Sequence, residues 1–156
     1  MKRKASAEWK GSLKEGKGSV STESSVLAHV QYSFDTRFES GIGTNPEELV
    51  AASHAACFSM QLSAVLGKAG LVPEQIATTA VITIENLEQG WTVTESHLAV
   101  NASVPGATPE TFAKLAEDAK TGCLMSRLLN TTVTMDAKLV GTAVADYNAG
   151  KGKTAQ

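Results

Sequence analysis

From Leu49 to Gly67 the chain reads LVAASHAACFSMQLSAVLG, with no Asp, Glu, Lys or Arg. No other feature narrows the possible folds as much. The stretch is about as long as a membrane-spanning helix, but Ser53, His54, Ser59, Gln61 and Ser63 interrupt it, and a buried helix of a soluble protein fits these residues better. Its start is well marked. Asn45 suits the N-cap, Pro46 the first helical position and Glu48 the third, while Glu47 and Glu48 complement the positive end of the helix dipole. The helix is expected to run to about Lys68, with Gly70 as its C-terminal cap. It is apolar or small nearly all round, so it should be central and covered on all sides. One thiol, Cys57, lies in its middle.

The flanking sequence reads as an α+β domain. ASAEWKGSL and GSVSTESSVL flank KEGKG, a glycine-containing turn, and imply a hairpin. QYSFDTRFE alternates, with Tyr32, Phe34, Thr36 and Phe38 on one face and Ser33, Asp35 and Arg37 on the other, as in a strand. After the long helix, IATTAVITIEN and WTVTESHLAVNASV read as two strands joined at EQG. Thr108-Pro109-Glu110 opens a second helix with Phe112, Leu115, Ala116 and Ala119 as its apolar stripe. Gly122 interrupts it, and CLMSRLLN can form a further short helix, which puts Cys123 at or near a helix N-terminus. TTVTMDAKLV is a last strand. One domain over residues 1–140 is expected, with 141–156 as a mobile tail.

Charge and cysteine content exclude several classes. With a net charge of −2 and scattered basic residues, neither nucleic acid nor an anionic membrane is expected as a partner. Two cysteines do not make a disulfide scaffold, and MKRKASAEWKG is not a signal segment. A cytoplasmic protein with reduced thiols is expected. No Cys/His cluster has zinc spacing, so no metal site is expected.

Only a thiolate is a strong nucleophile, and burial alone makes a thiol inert. A reactive Cys57 therefore needs a cation or oriented dipoles from elsewhere. Of the three arginines, Arg37 lies just upstream of the helix, but it could equally be a solvated residue paired with Asp35 or Glu39. Cys123 could be a small apolar residue after Gly122 or a second thiol for Cys57. His54 shares a helix face with Cys57; it could be a base, a ligand or a satisfied core histidine.

At these residues the sequence resembles a known family. GKGSVSTESSVL, FDTRFE, GTNPEELVAASHAACFSM and AKTGCLMSRLL are similar to segments of the OsmC/Ohr proteins, the OsmC branch in particular, over about Ala7 to Val140. The resemblance implies an OsmC-like fold: an antiparallel β-sheet wrapped around long central helices in an intertwined homodimer. It implies a stress-response, antioxidant thiol peroxidase. Cys57 would attack an organic hydroperoxide, with hydrogen peroxide as a second candidate oxidant, and become sulfenic acid. Cys123 would close a disulfide with it. Arg37 would orient the peroxide, and Glu47 would hold Arg37. No cofactor is implied beyond an external dithiol reductant, a lipoylated protein among the candidates. Many family members carry proline directly after the second cysteine; this chain has Leu124.

On an unbroken helix Glu47 and Cys57 are about 15 Å apart along the axis. One arginine cannot serve both within a chain, so Glu47 and Arg37 are expected to reach Cys57 from the other subunit. Two other readings stand beside the peroxidase: a non-catalytic ligand-binding member of the same fold, and a Cys–His hydrolase built on Cys57 and His54.

Overall fold

A computed structural model describes residues 1–141, so all but the first residue of the expected tail lies outside the described residues. The chain divides into two compact units at Ala52/Ser53.

The first unit holds an antiparallel sheet in the order β1 (Ala5–Lys10), β2 (Lys17–Thr22), β3 (Val30–Ser33). Trp9 and Tyr32 both pair across Gly18, and their rings pack at 5.5 Å between centroids. Glycine is required between them: a Cβ at position 18 would come within 2.4 Å of the Tyr32 ring and 2.8 Å of the Glu8 carbonyl oxygen.

The strand expected through Phe38 instead stops at Ser33, and Phe34–Phe38 is a short helix, α1. The cause is local. Thr36 N–H donates to Ser33 Oγ at 3.3 Å, and Ser33 N–H donates to Thr36 Oγ1 at 2.8 Å, a reciprocal capping box. Phe34 and Phe38 then stand one turn apart with rings 4.9 Å apart. An alternating pattern five residues long also satisfies this arrangement, and the cap decides between the two.

The long helix, α2, runs Pro46–Lys68. Glu48 N–H donates to Asn45 Oδ1 at 2.8 Å, the expected N-cap bond. At the other end Gly70 takes φ 76°, and Leu71 N–H reaches back to the Leu66 carbonyl at 3.0 Å. By length and composition α2 could cross a bilayer.

In the second unit α2 buries one stripe: His54, Phe58, Leu62 and Leu66. The stripe joins a core with Leu98, Val100 and Ala102 of β5 (Gly90–Ser103) and Phe112, Ala116 and Ala119 of α3 (Pro109–Gly122). Thr108 caps α3 as expected. Strand β4 (Gln75–Leu87) pairs antiparallel with β5, and β6 (Thr132–Leu139) pairs parallel to β5 on its other side. The sheet is thus mixed rather than wholly antiparallel. The reason is connectivity: α3 and the short α4 (Leu124–Leu128) carry the chain between β5 and β6, and a crossover of that length permits a parallel return.

The described residues do not fully cover α2. Ala52, Ser53, Ala56, Ser63, Ala64 and Gly67 are exposed, as is Met60, at 76%.

Replacing Gly18 with alanine is expected to displace the Tyr32 ring and cost about 1–3 kcal/mol of stability. A lower denaturant midpoint with altered Trp9 emission checks this; an unchanged midpoint contradicts it.

Candidate active site

The second unit brings the two cysteines together. Cys57 sits in the middle of α2, partly buried; Cys123, fully buried, stands between the end of α3 and the start of α4. Their sulfurs are 3.3 Å apart, with the Cys123 thiol donating to Cys57. Closing a bond of about 2.05 Å needs only a small approach. A Cβ at position 122 would meet the end of the Gln61 side chain, at 2.9 Å from Nε2.

Four influences act on the Cys57 thiol. Burial is the largest and pushes it up from its ordinary 9.0. The Met125 N–H opposes this by hydrogen-bonding the sulfur, Cys123 adds an upward push, and the Leu124 N–H opposes again. The net direction is upward. Of two touching thiols, the one that ionises first accepts from the other, and the second is disfavoured by the charge. Two backbone N–H groups act on Cys57 in the direction of the thiolate, so it is the sulfur placed to carry the charge. Yet the groups acting on it include no cation.

The first unit brings Arg37 and Glu47 together. Arg37 Nε donates to both Glu47 oxygens at 3.0 and 3.2 Å, and Nη2 donates to Oε1 at 2.6 Å. The fork is two-pronged and fixes the guanidinium plane. Among the described residues Nη1 makes no hydrogen bond, so its N–H groups remain available to a ligand. Beside Arg37 is an apolar cavity of about 280 Å³ lined chiefly by Trp9, Tyr32, Phe34, Phe38 and Pro46. Asp35 and Glu39, the partners considered from sequence, do not take Arg37. The helical turn of α1 aims it at α2's first turn instead.

His54 is a satisfied core histidine. Its Nδ1 lies 2.7 Å from Ser96 Oγ and its Nε2 2.9 Å from Ser126 Oγ. Both ring nitrogens are occupied, so neither is free to take a proton from Cys57. The hydrolase reading loses its base. Among the described residues no group of three or more His, Cys, Asp or Glu is arranged to hold a metal ion. Sequence reasoning did not single out Ser96, Ser126 or the Leu124 and Met125 amides. No residue-type signal marks a backbone amide, and the serines lie far from His54 in the chain.

Residues 39–138 match the family model described as OsmC-like protein. The chain belongs to the OsmC-like family. It is 47% identical over 137 residues to Peroxiredoxin OsmC of Escherichia coli (strain K12), covering 88% of this chain and 96% of that protein. Among solved structures, an organic hydroperoxide resistance protein from Elizabethkingia anophelis, with crystallant-derived thiocyanate bound, is 26% identical with a TM-score of 0.71. The match covers 88% of this chain and 96% of that one. OhrB of Bacillus subtilis, an organic hydroperoxide resistance protein, is 22% identical with a TM-score of 0.68, over 86% of this chain and 98% of that one, and shares the fold. The OsmC/Ohr resemblance read from TNPEEL and AACFSM is therefore correct. A proline at position 124 would lack the N–H that Leu124 supplies to Cys57.

Two outcomes follow from these bonds. Cys123 has φ −64° and ψ 128°, extended geometry that tolerates a following proline. Leu124→Pro should therefore fold and move the Cys57 thiolate titration to higher pH, read by ultraviolet thiolate absorbance; an unmoved curve contradicts the amide's role. Burial also holds the His54 imidazole below its ordinary 6.5, so the folded state favours the neutral ring. That contribution to stability is complete above 6.5 and is lost as pH falls through the folded value. Denaturant midpoints should drop more between about pH 7 and about pH 5 for wild type than for His54→Gln, which cannot titrate.

Proposed function

We propose that this OsmC-like chain is a cysteine-based hydroperoxide reductase whose reacting sulfur is Cys57. The observation that carries the reading is the second sulfur, 3.3 Å from the first, in a chain that also holds a preformed Arg37–Glu47 fork. The Cys57 thiolate attacks the outer oxygen of ROOH. The O–O bond breaks, Cys57 becomes sulfenic acid, and RO⁻ leaves and takes a proton as ROH. The Arg37 Nη1 N–H groups stabilise the departing oxygen. Cys123 then attacks the sulfenic sulfur, water leaves, and a Cys57–Cys123 disulfide forms. An external dithiol reduces it by exchange and is itself oxidised to a disulfide; a lipoylated protein is the partner of this class we favour. No cofactor enters the cycle, and residues 1–140 act as one peroxidase domain in the cytoplasm. The apolar cavity beside Arg37 accepts the organic part of the peroxide, which favours alkyl and aryl hydroperoxides over hydrogen peroxide.

Arg37 serves the Cys57 of a second subunit. Among the described residues the groups acting on Cys57 include no cation, while Glu47, which grips Arg37, lies about 15 Å up an unbroken helix from Cys57. The exposed small residues of α2, from Ala52 to Gly67, give a homodimer partner a close approach.

Peroxide consumption with cumene hydroperoxide and a dithiol tests the chemistry. Cys57→Ser is expected to abolish it, and Cys123→Ser to leave a sulfenic acid that dimedone traps. Complete turnover by Cys57→Ser would end the reading. Mixing inactive Cys57→Ser with inactive Arg37→Ala subunits tests the shared site. Random pairing makes about half of the dimers mixed, each with one intact site, so about a quarter of wild-type activity returns. No recovery would mean that each chain supplies its own arginine.

A further inference from the structure

The hydrogen-bonded chain Ser96–His54–Ser126 plays no part in the chemistry above. His54 is fully buried, one turn before Cys57 on α2. It links Ser96 of β5 to Ser126 of α4 at 2.7 and 2.9 Å. Its neighbours along the helix stripe, Phe58, Leu62 and Leu66, are apolar. An imidazole and a buried hydroxyl in such a core cost stability relative to apolar filling, and they are most useful where they fix a position.

The element they reach is α4. Five residues cannot hold a helix by themselves, and Leu124 and Leu128 are largely exposed. Met125 packs on the core. Among the described residues, Ser126 makes α4's one side-chain hydrogen bond, and that bond is to His54. Ser126 directly follows Leu124 and Met125, whose N–H groups bond the Cys57 sulfur. Cys123 directly precedes them.

We infer that His54 is a positioning residue: by clamping Ser126 of α4 to Ser96 of β5, it holds the Leu124 and Met125 amides on the Cys57 sulfur and keeps the Cys123 sulfur within reach. The catalytic consequence rests on the assignment of Cys57 and Cys123 as the reacting pair; the clamp itself does not. Burial keeps the ring neutral, with one N–H and one lone pair, so one serine accepts from it and the other donates to it. A glutamine amide offers the same pair of functions.

The test uses full-length reduced protein and two readouts. Thiolate absorbance against pH, in a Cys123→Ser background, reports the Cys57 environment without any peroxide. The ratio of dimedone-trapped sulfenic acid to disulfide, after one equivalent of cumene hydroperoxide, reports the reach of Cys123. In His54→Ala the Cys57 titration should move up by about one pH unit, and the trapped fraction should rise roughly tenfold as α4 loosens. His54→Gln should return both towards wild type, and Ser126→Ala should reproduce the alanine result. Ser126 is only partly buried, so that variant decides the matter if His54→Ala fails to fold. Lower stability with an unmoved titration and an unmoved ratio in Ser126→Ala marks a merely structural bond and overturns the inference. If wild type ignores the peroxide, the peroxidase reading fails, while the titration still decides the role of His54.

Discussion

A sulfur taken out of water has to be given donors before it can carry charge. That requirement organises the second unit. Burial pushes Cys57 towards the inert thiol, and the N–H groups of Met125 and Leu124 oppose it. Those amides are free because α3 ends at Gly122 and the chain re-enters a helix at Leu124, which leaves the first N–H groups of α4 without intrahelical acceptors. The same break puts Cys123 at the junction, 3.3 Å from its partner sulfur. One interruption in the helix thus supplies both donors for the first sulfur and a second sulfur beside it.

The two amides do not outweigh burial, so the chain by itself leaves the thiol above its ordinary titration point. In the first unit Glu47 grips Arg37 through two prongs. Helix α2 carries Glu47 in its first turn and Cys57 well along its length. Among the described residues the exposed side of α2 is rich in alanine, serine and glycine, small residues that allow close backbone approach.

The elements that were legible in the sequence have their determinants close together along the chain. Asn45, Pro46 and Glu48 start α2, Gly70 ends it, and Thr108 caps α3, each within a few residues of the bond it makes. The failure at QYSFDTRFE is of the same local kind: Ser33 and Thr36 form a capping box that overrides an alternating pattern too short to be decisive. The parallel pairing of β6 was hidden because register between distant strands depends on the crossover that joins them.

By itself the sequence determined the helices from α2 onward, most of the strands, and the family, because capping chemistry, periodicity and motifs such as TNPEEL and AACFSM act or can be read locally. The residues' own pattern left open which groups meet, although the family resemblance named Cys57 with Cys123 and Arg37 with Glu47; tertiary structure decided it. It put Cys123 against Cys57, turned both nitrogens of His54 to serines on two other elements, and gave Arg37 to Glu47 rather than to Asp35 or Glu39. These contacts join residues far apart in the chain, and their geometry is set by how α2, α4 and the strands pack. No spacing in the sequence encodes that packing directly.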